Sequence, residues 1–96
     1  MKLTGKQTQF LRSLAHPLKP VVMIGDKGLT ENVLAEIEGA LDYHELIKIK
    51  VPAGDKDTKS ALIEAICKQT KAAHAQTIGR IVVLFRSSEK KKITLP

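Results

Sequence analysis

Gly25-Asp26-Lys27-Gly28 is the run in this chain best suited to chemistry, and that chemistry is anion binding. It stands between a short apolar segment, Val21-Val22-Met23-Ile24, and Thr30, a residue type that caps helix starts. Unpaired N–H groups and the positive end of the helix dipole meet at such a junction and attract phosphate. Two glycines allow backbone angles and a close approach that a Cβ obstructs, and Lys27 at the tip adds a charge-assisted contact. Asp26 opposes an anion and must point away. The run is too short for a P-loop, lacks Gly-Lys-Ser/Thr, and lacks the Gly-x-Gly-x-x-Gly of dinucleotide folds. Out of context, Gly-x-x-Gly is also a plain turn linking strand to helix.

Other chemical groups are poorly arranged for catalysis. His16, His44 and His74 are 28 and 30 residues apart, which is no local metal-ligand spacing. Cys67 falls on the apolar stripe of a helical segment and reads as an inert, buried thiol. A single Cys forms no intramolecular disulfide and no Cys-based zinc site. No Gly-x-Ser-x-Gly elbow or spaced acid/base pair is present. The expectation is a non-enzyme with no metal, no cofactor and no small-molecule substrate.

Charge is strongly segregated. Residues 1–30 hold five bases and one acid (net +4), residues 31–47 five acids and no base (−5), and residues 48–96 eleven bases and four acids (+7). The net charge of +6 therefore conceals a polar molecule, with a basic surface assembled from both ends of the chain and an acidic element elsewhere. Lys6, Arg12 and Lys19 supply one flank of that surface, Lys27 its centre, and Arg80 and Arg86 come from the C-terminal region. Lys48 and Lys50 alternate with apolar residues and read as blunting a wet sheet face. Phe10, Tyr43 and Phe85 are the only aromatics, and Phe10 and Phe85 fall on apolar patterns, so a base-stacking sheet of the RRM type is not expected.

The elements that must position these groups follow from periodicity. Thr4 and Gln7 have capping-box spacing, and Phe10, Leu11, Leu14, Ala15 and Leu18 recur at helical intervals, predicting a first helix over 5–15. Val21 to Ile24 predicts a buried strand. Thr30 caps a second helix whose Val33, Leu34, Ile37, Ala40 and Leu41 face inward, while Glu31, Glu36, Glu38 and Asp42 form an acidic outer face. Leu46 to Val51 alternates as a strand. A third helix starts after Asp55 or Asp57, and residues 74–78 and 81–86 form a hairpin turned at Gly79-Arg80. The order α-β-α-β-α-β-β implies an α/β, two-layer α+β fold, a mixed four-stranded sheet packed against helices.

With 96 residues, 43% hydrophobic and 27% charged, the chain reads as one domain, 1–96, with a small core and little room for a deep cleft. Residues 87–96 read as an extended or mobile basic tail that Ile93 and Leu95 allow to re-dock. No segment marks the chain for export or a membrane, and the lone thiol fits the cytoplasm.

Longer stretches carry a resemblance. Leu14-Ala15-His16-Pro17-Leu18-Lys19-Pro20-Val21-Val22, Ile24-Gly25-Asp26-Lys27-Gly28-Leu29-Thr30 and His44-Glu45-Leu46-Ile47-Lys48 resemble the bacterial YhbY-like proteins of the CRM (chloroplast RNA splicing and ribosome maturation) family. The likeness continues through Thr58-Lys59, Ile78-Gly79 and Val83-Leu84-Phe85-Arg86. It implies a stand-alone RNA-binding domain associated with precursor rRNA of the large ribosomal subunit in a pre-ribosomal particle. It also implies a fold similar to the C-terminal domain of translation initiation factor three. By the same resemblance, Gly25, Asp26, Lys27 and Gly28 occupy a KH-like Gly-x-x-Gly loop that contacts RNA. The alternative is a protein-interaction adaptor that docks through the acidic second helix.

Overall fold

The computed structural model describes residues 2–96. Its elements follow the expected order: α1 (Gly5–Ala15), β1 (Pro20–Met23), α2 (Glu31–His44), β2 (Leu46–Lys50), α3 (Lys56–Thr70), β3 (Ala73–Ile78) and β4 (Ile81–Phe85). Each helix starts where a side chain accepts from the first turn. Thr4 and Gln7 bond reciprocally, and Thr30 accepts the Val33 N–H at 3.2 Å. Asp55, not Asp57, caps α3, accepting the Thr58 N–H at 2.7 Å, a bond that holds its carboxyl below the usual aspartate range. Asp57 sits in the first turn, where the helix dipole favours negative charge.

The sheet runs β1-β2-β4-β3, with β1 parallel to β2 and both β2/β4 and β3/β4 antiparallel. The hairpin closes through Gly79-Arg80 with Gly79 at φ +58°, the left-handed angle that a type II′ turn requires at its first central residue.

Side-chain alternation divides the core into two. Val82 and Leu84 join Ile47 and Ile49 against Ile37 and Leu41 of α2 and Ile66 of α3. Val83 and Phe85 join Leu46 and Ala75 against Leu11 and Ala15 of α1. The sheet is thus covered on both faces, and α1 adds a third layer where two were expected. The physical reason is β4: Val82 to Phe85 has no wet face, and a strand that is apolar throughout needs cover on both sides. Leu14 and Leu18, read as part of the inward stripe of α1, are 40% and 39% exposed; Leu11 and Ala15 alone are buried there.

Glu45 organises the remaining piece. It ends α2 at φ 67°, its N–H donates to the Leu41 carbonyl, and its own carbonyl accepts the Arg86 N–H, both at 2.9 Å. Its carboxylate is fully buried and accepts from the Ser88 N–H (2.8 Å), the Ser88 hydroxyl (2.5 Å) and the Ile93 N–H (2.7 Å). Residues 87–96 are folded back along this line. Ile93 and Leu95 pack on the α1 cluster, Lys92 donates to the Tyr43 carbonyl at 2.7 Å, and Gln7 donates to the Pro96 carbonyl at 3.2 Å.

Burial alone raises the Glu45 carboxyl, but the bonds from Ser88, Ile93 and Lys92 more than reverse it, so its pKa lies below the usual 4.5. A carboxylate with a depressed folded pKa contributes stability that is complete above its unfolded pKa and lost as pH falls through the folded one. Glu45→Gln leaves N–H groups facing N–H and O–H donors. The expected cost at neutral pH is about 1–3 kcal/mol. Thermal unfolding should show the gap between variant and parent closing in acid, and the Ile93 amide of the variant should exchange faster.

Candidate nucleic-acid interface

The loop after β1 is a hydrogen-bonded turn. The Gly28 N–H donates to the Gly25 carbonyl at 3.0 Å, and the Thr30 N–H to the Gly28 carbonyl at 3.1 Å, which delivers the chain into the α2 cap. Gly28 has φ +75°, so glycine is needed there for its backbone. Gly25 needs it less: its φ is not positive, and a Cβ would meet nothing within 4 Å. Gly25, Asp26 and Lys27 are exposed. The turn therefore presents its main chain and Lys27 to solvent, with Asp26 and Glu31 of the first α2 turn as nearby negative charge in the sequence.

Strand register shows what shares that end of the sheet. Met23, Lys50, Ile81 and Ile78 form one row across the four strands. Beyond it stand the Gly25–Gly28 turn, the Pro52–Gly54 connection and the Gly79-Arg80 turn. Arg80 is exposed and its Nε donates to the Val51 carbonyl at 2.9 Å, fixing the guanidinium at this end. Lys59 donates to the Gly79 carbonyl at 2.9 Å and ties α3 to the same turn. Lys27 and Arg80 thus lie at one end of the sheet.

The other candidates are dispersed. Lys19 precedes β1 and is exposed at the opposite end, about 20 Å from Gly25 at about 3.3 Å per residue. Lys6 is exposed near the start of α1, close to the docked C-terminal segment that Gln7 holds. Arg86 does not converge with Arg80. It follows the far end of β4, its side chain is 19% exposed, and it pairs with Glu38 and Asp42, each at 2.7 Å. It also donates to the Thr70 carbonyl at 2.6 Å. Among the described residues it is the only basic side chain in an ion pair. The same contacts occupy two of the four carboxylates on the acidic face of α2.

Arg12 leads to a second basic feature. Its Nε donates to the Ala75 carbonyl at 3.1 Å, and it lines a cleft of about 460 Å³ between α1 and the sheet. Gln9, Ser13 and His16 complete the α1 wall; Lys48, Gln76 and Ile78 form the sheet wall. Lys48 donates to the His16 carbonyl at 3.3 Å, a cation at a helix C-terminus. None of the lining side chains is a carboxylate. Sequence reasoning had Arg12 but missed this company, because Lys48 read only as a wet-face residue and His16 was weighed only for metal-ligand spacing. The readable signal was the 9, 12, 13, 16 spacing of polar and basic residues along one side of a helix.

A larger hollow of about 800 Å³ lies on the other face, between α3 and β3, beside Ile63, Cys67 and His74. Burial pushes the Cys67 thiol up, away from a reactive thiolate. Desolvation, aided by the charge of Arg12, outweighs a bond that the imidazole donates to the Gln76 backbone and holds His74 below its usual value, while its Nε2 meets the Thr77 hydroxyl at 2.6 Å. Among the described residues no His, Cys, Asp or Glu cluster is placed to hold a metal, and no helix is long and apolar enough to cross a membrane.

With this geometry in place, known proteins give a consistent answer. The CRS1/YhbY (CRM) domain model matches residues 3–86. The chain belongs to that family. It is 62% identical over 94 residues to a protein of Haemophilus influenzae named "RNA-binding protein", covering 98% of this chain and 95% of the relative. It is 42% identical over 95 residues to Bacillus subtilis YqeI, whose name is "Probable RNA-binding protein", covering 98% and 99%. The solution structure of the hypothetical protein SAV1595 from Staphylococcus aureus superposes with a TM-score of 0.85 at 42% identity, covering 99% of this chain and all of that one. In this CRM domain the matched span includes the exposed turn, Arg80 and the whole cleft.

Three substitutions separate structural from contact roles. Arg86→Ala should lower stability by about 1–2 kcal/mol, a value reduced by the exposure of its partners, and should leave the loop surface untouched. Gly25→Ala should fold and gain up to about 1 kcal/mol by restricting the unfolded chain, whereas Gly28→Ala should lose about 1 kcal/mol to its positive φ. Denaturant midpoints for the three variants check both statements.

Proposed function

We propose that this CRM domain is a non-enzymatic RNA-binding module that works in the cytoplasm on precursor rRNA of the large ribosomal subunit during ribosome assembly. The observation that carries the RNA reading is the exposed Gly25–Gly28 turn, with an unpaired Lys27 at the sheet end that also bears Arg80. The backbone there is open to close approach, and the cations are free to neutralise phosphates. Relatives named as RNA-binding proteins support the same reading. The ribosomal role rests on the family resemblance, since ribosome maturation is part of what the family is named for.

In this mechanism phosphate contacts set affinity and register, and no aromatic platform is required. Lys27 and Arg80 neutralise the strand near the turn, Gly25 admits the backbone, and Asp26 turns outward. Arg12 and Lys19 extend the contact along the same molecule, Lys6 lies farther off, and Arg86 serves the fold.

Lys27→Ala should weaken RNA binding while preserving the fold. The slope of log K against log salt should flatten by about 0.7–0.9, the equivalent of one phosphate contact. Anisotropy titrations across a salt series read this directly, and an unchanged slope removes Lys27 from the interface. Cross-linking in cells followed by sequencing of the attached RNA tests the ribosomal role. Large-subunit precursor rRNA is the expected product; messenger RNA without rRNA would overturn the assignment.

A further inference from the structure

We infer that the cleft between α1 and the sheet is a receptor for one unpaired nucleotide, so that this CRM domain recognises a looped-out base as well as backbone phosphate. This inference rests on the RNA-binding reading above and adds a second, chemically different subsite to it.

Three properties of the cleft carry the inference. First, its volume of about 460 Å³ falls within the ordinary range for small-molecule sites, so it accommodates a nucleotide-sized guest. Second, its charge is one-sided: Arg12 and Lys48 line it and no carboxylate does. The bonds that Arg12 Nε and Lys48 Nζ make to main-chain carbonyls hold both groups in place yet leave other N–H donors free. A phosphate is the group such donors take.

Third, the rest of the lining suits a base better than a second phosphate. Ile78 is 61% exposed, an apolar side chain left largely open to solvent. Gln9 and Gln76 each offer a donor and an acceptor, the combination needed to bond a base edge. The Arg12 guanidinium, anchored through Nε, supplies a fixed plane of the kind on which unstacked bases lie.

The cleft is also continuous with the loop end. Lys48 and Gln76 flank Val83 in the sheet, and the next row on the same face, two residues along, runs Met23, Lys50, Ile81, Ile78. That row spans about 14 Å at about 4.8 Å between strands. It passes from the β1 edge, where the Gly25–Gly28 turn begins two residues later, to Ile78 at the cleft. Lys50 lies in its path. A strand of RNA held at Lys27 can therefore follow Lys50 along this row and place a flipped-out nucleotide in the cleft.

The test uses two RNA hairpins of equal stem length, one fully paired and one with a single-nucleotide bulge, and a third whose bulged residue is abasic. Binding is read by anisotropy over a salt series with the full chain. The wild type should prefer the bulged hairpin by about tenfold, the lower end of what a stacked base contributes because Arg12 rather than an aromatic ring supplies the plane, and the abasic hairpin should lose that preference. Gln76→Ala and Ile78→Ser, both checked for folding by circular dichroism, should bind all three equally with the salt slope unchanged. Lys27→Ala should bind all three more weakly and keep the preference. Equal binding of bulged and paired RNA by the wild type, or a preference that survives both cleft substitutions or the abasic change, overturns the nucleotide site while the RNA-binding reading stands. Failure of the wild type to bind any of the hairpins overturns both.

Discussion

The constraint that organises this protein is the burial of β4 on both faces. Val82, Val83, Leu84 and Phe85 are all at most 1% exposed, so a single four-residue run sits at the centre of both hydrophobic clusters. A strand that is half wet permits helices on one side only; this one obliges α1 to cross to the face away from α2 and α3. Once α1 is there it cannot cover the whole face, because an 11-residue helix is only about 16 Å long. The uncovered remainder, from Val21 and Met23 to Ile78, is where the lysines of β2 emerge. The surface proposed to meet RNA is thus a consequence of how the core is closed.

Local structure was legible because its signals are local. Thr4 with Gln7, Thr30, and one of Asp55 or Asp57 mark helix starts within four residues, and the alternation of Ile47, Ile49 and Val51 marks β2 without help from elsewhere. The layer arrangement was less legible, since Leu14 and Leu18 have helical spacing with Leu11 and Ala15 and nothing local distinguishes a stripe's centre from its edge. The unbroken apolar run of β4 was the available sign of a sheet covered twice. Arg86 was beyond reach, as its role depends on Glu38, Asp42 and Thr70, all at least 16 residues away. Glu45 was hidden for the same reason: nothing in its neighbourhood says that its acceptors are needed by Ser88 and Ile93.

The acidic and basic segments behave differently once folded. The −5 stretch looks like a uniform repulsive surface, yet Glu45 is internal and Glu38 and Asp42 are engaged by Arg86, so fewer negative charges are free than the sequence implies. The basic residues are almost all unpaired. Folding therefore consumes acids more than bases and sharpens the positive character of the exterior. That asymmetry favours polyanion binding, since each free cation can displace a counterion from a phosphate without first breaking an internal pair.

The loop and the cleft also differ in what fixes them. The Gly25–Gly28 turn is held by short-range main-chain bonds and an N-cap, with no bond from a distant element among those described. The cleft walls are a helix and a sheet, joined by Arg12 to Ala75 and Lys48 to His16, both bonds to carbonyls in ordered elements. An open cleft walled by regular elements is the poorer partner for a charge whose position varies along a flexible strand and the better one for a group of defined shape. Under the two proposals above, a main-chain turn that meets phosphate beside a helix-and-sheet cleft that takes a base would let a small domain with few aromatics distinguish structured RNA from bare duplex.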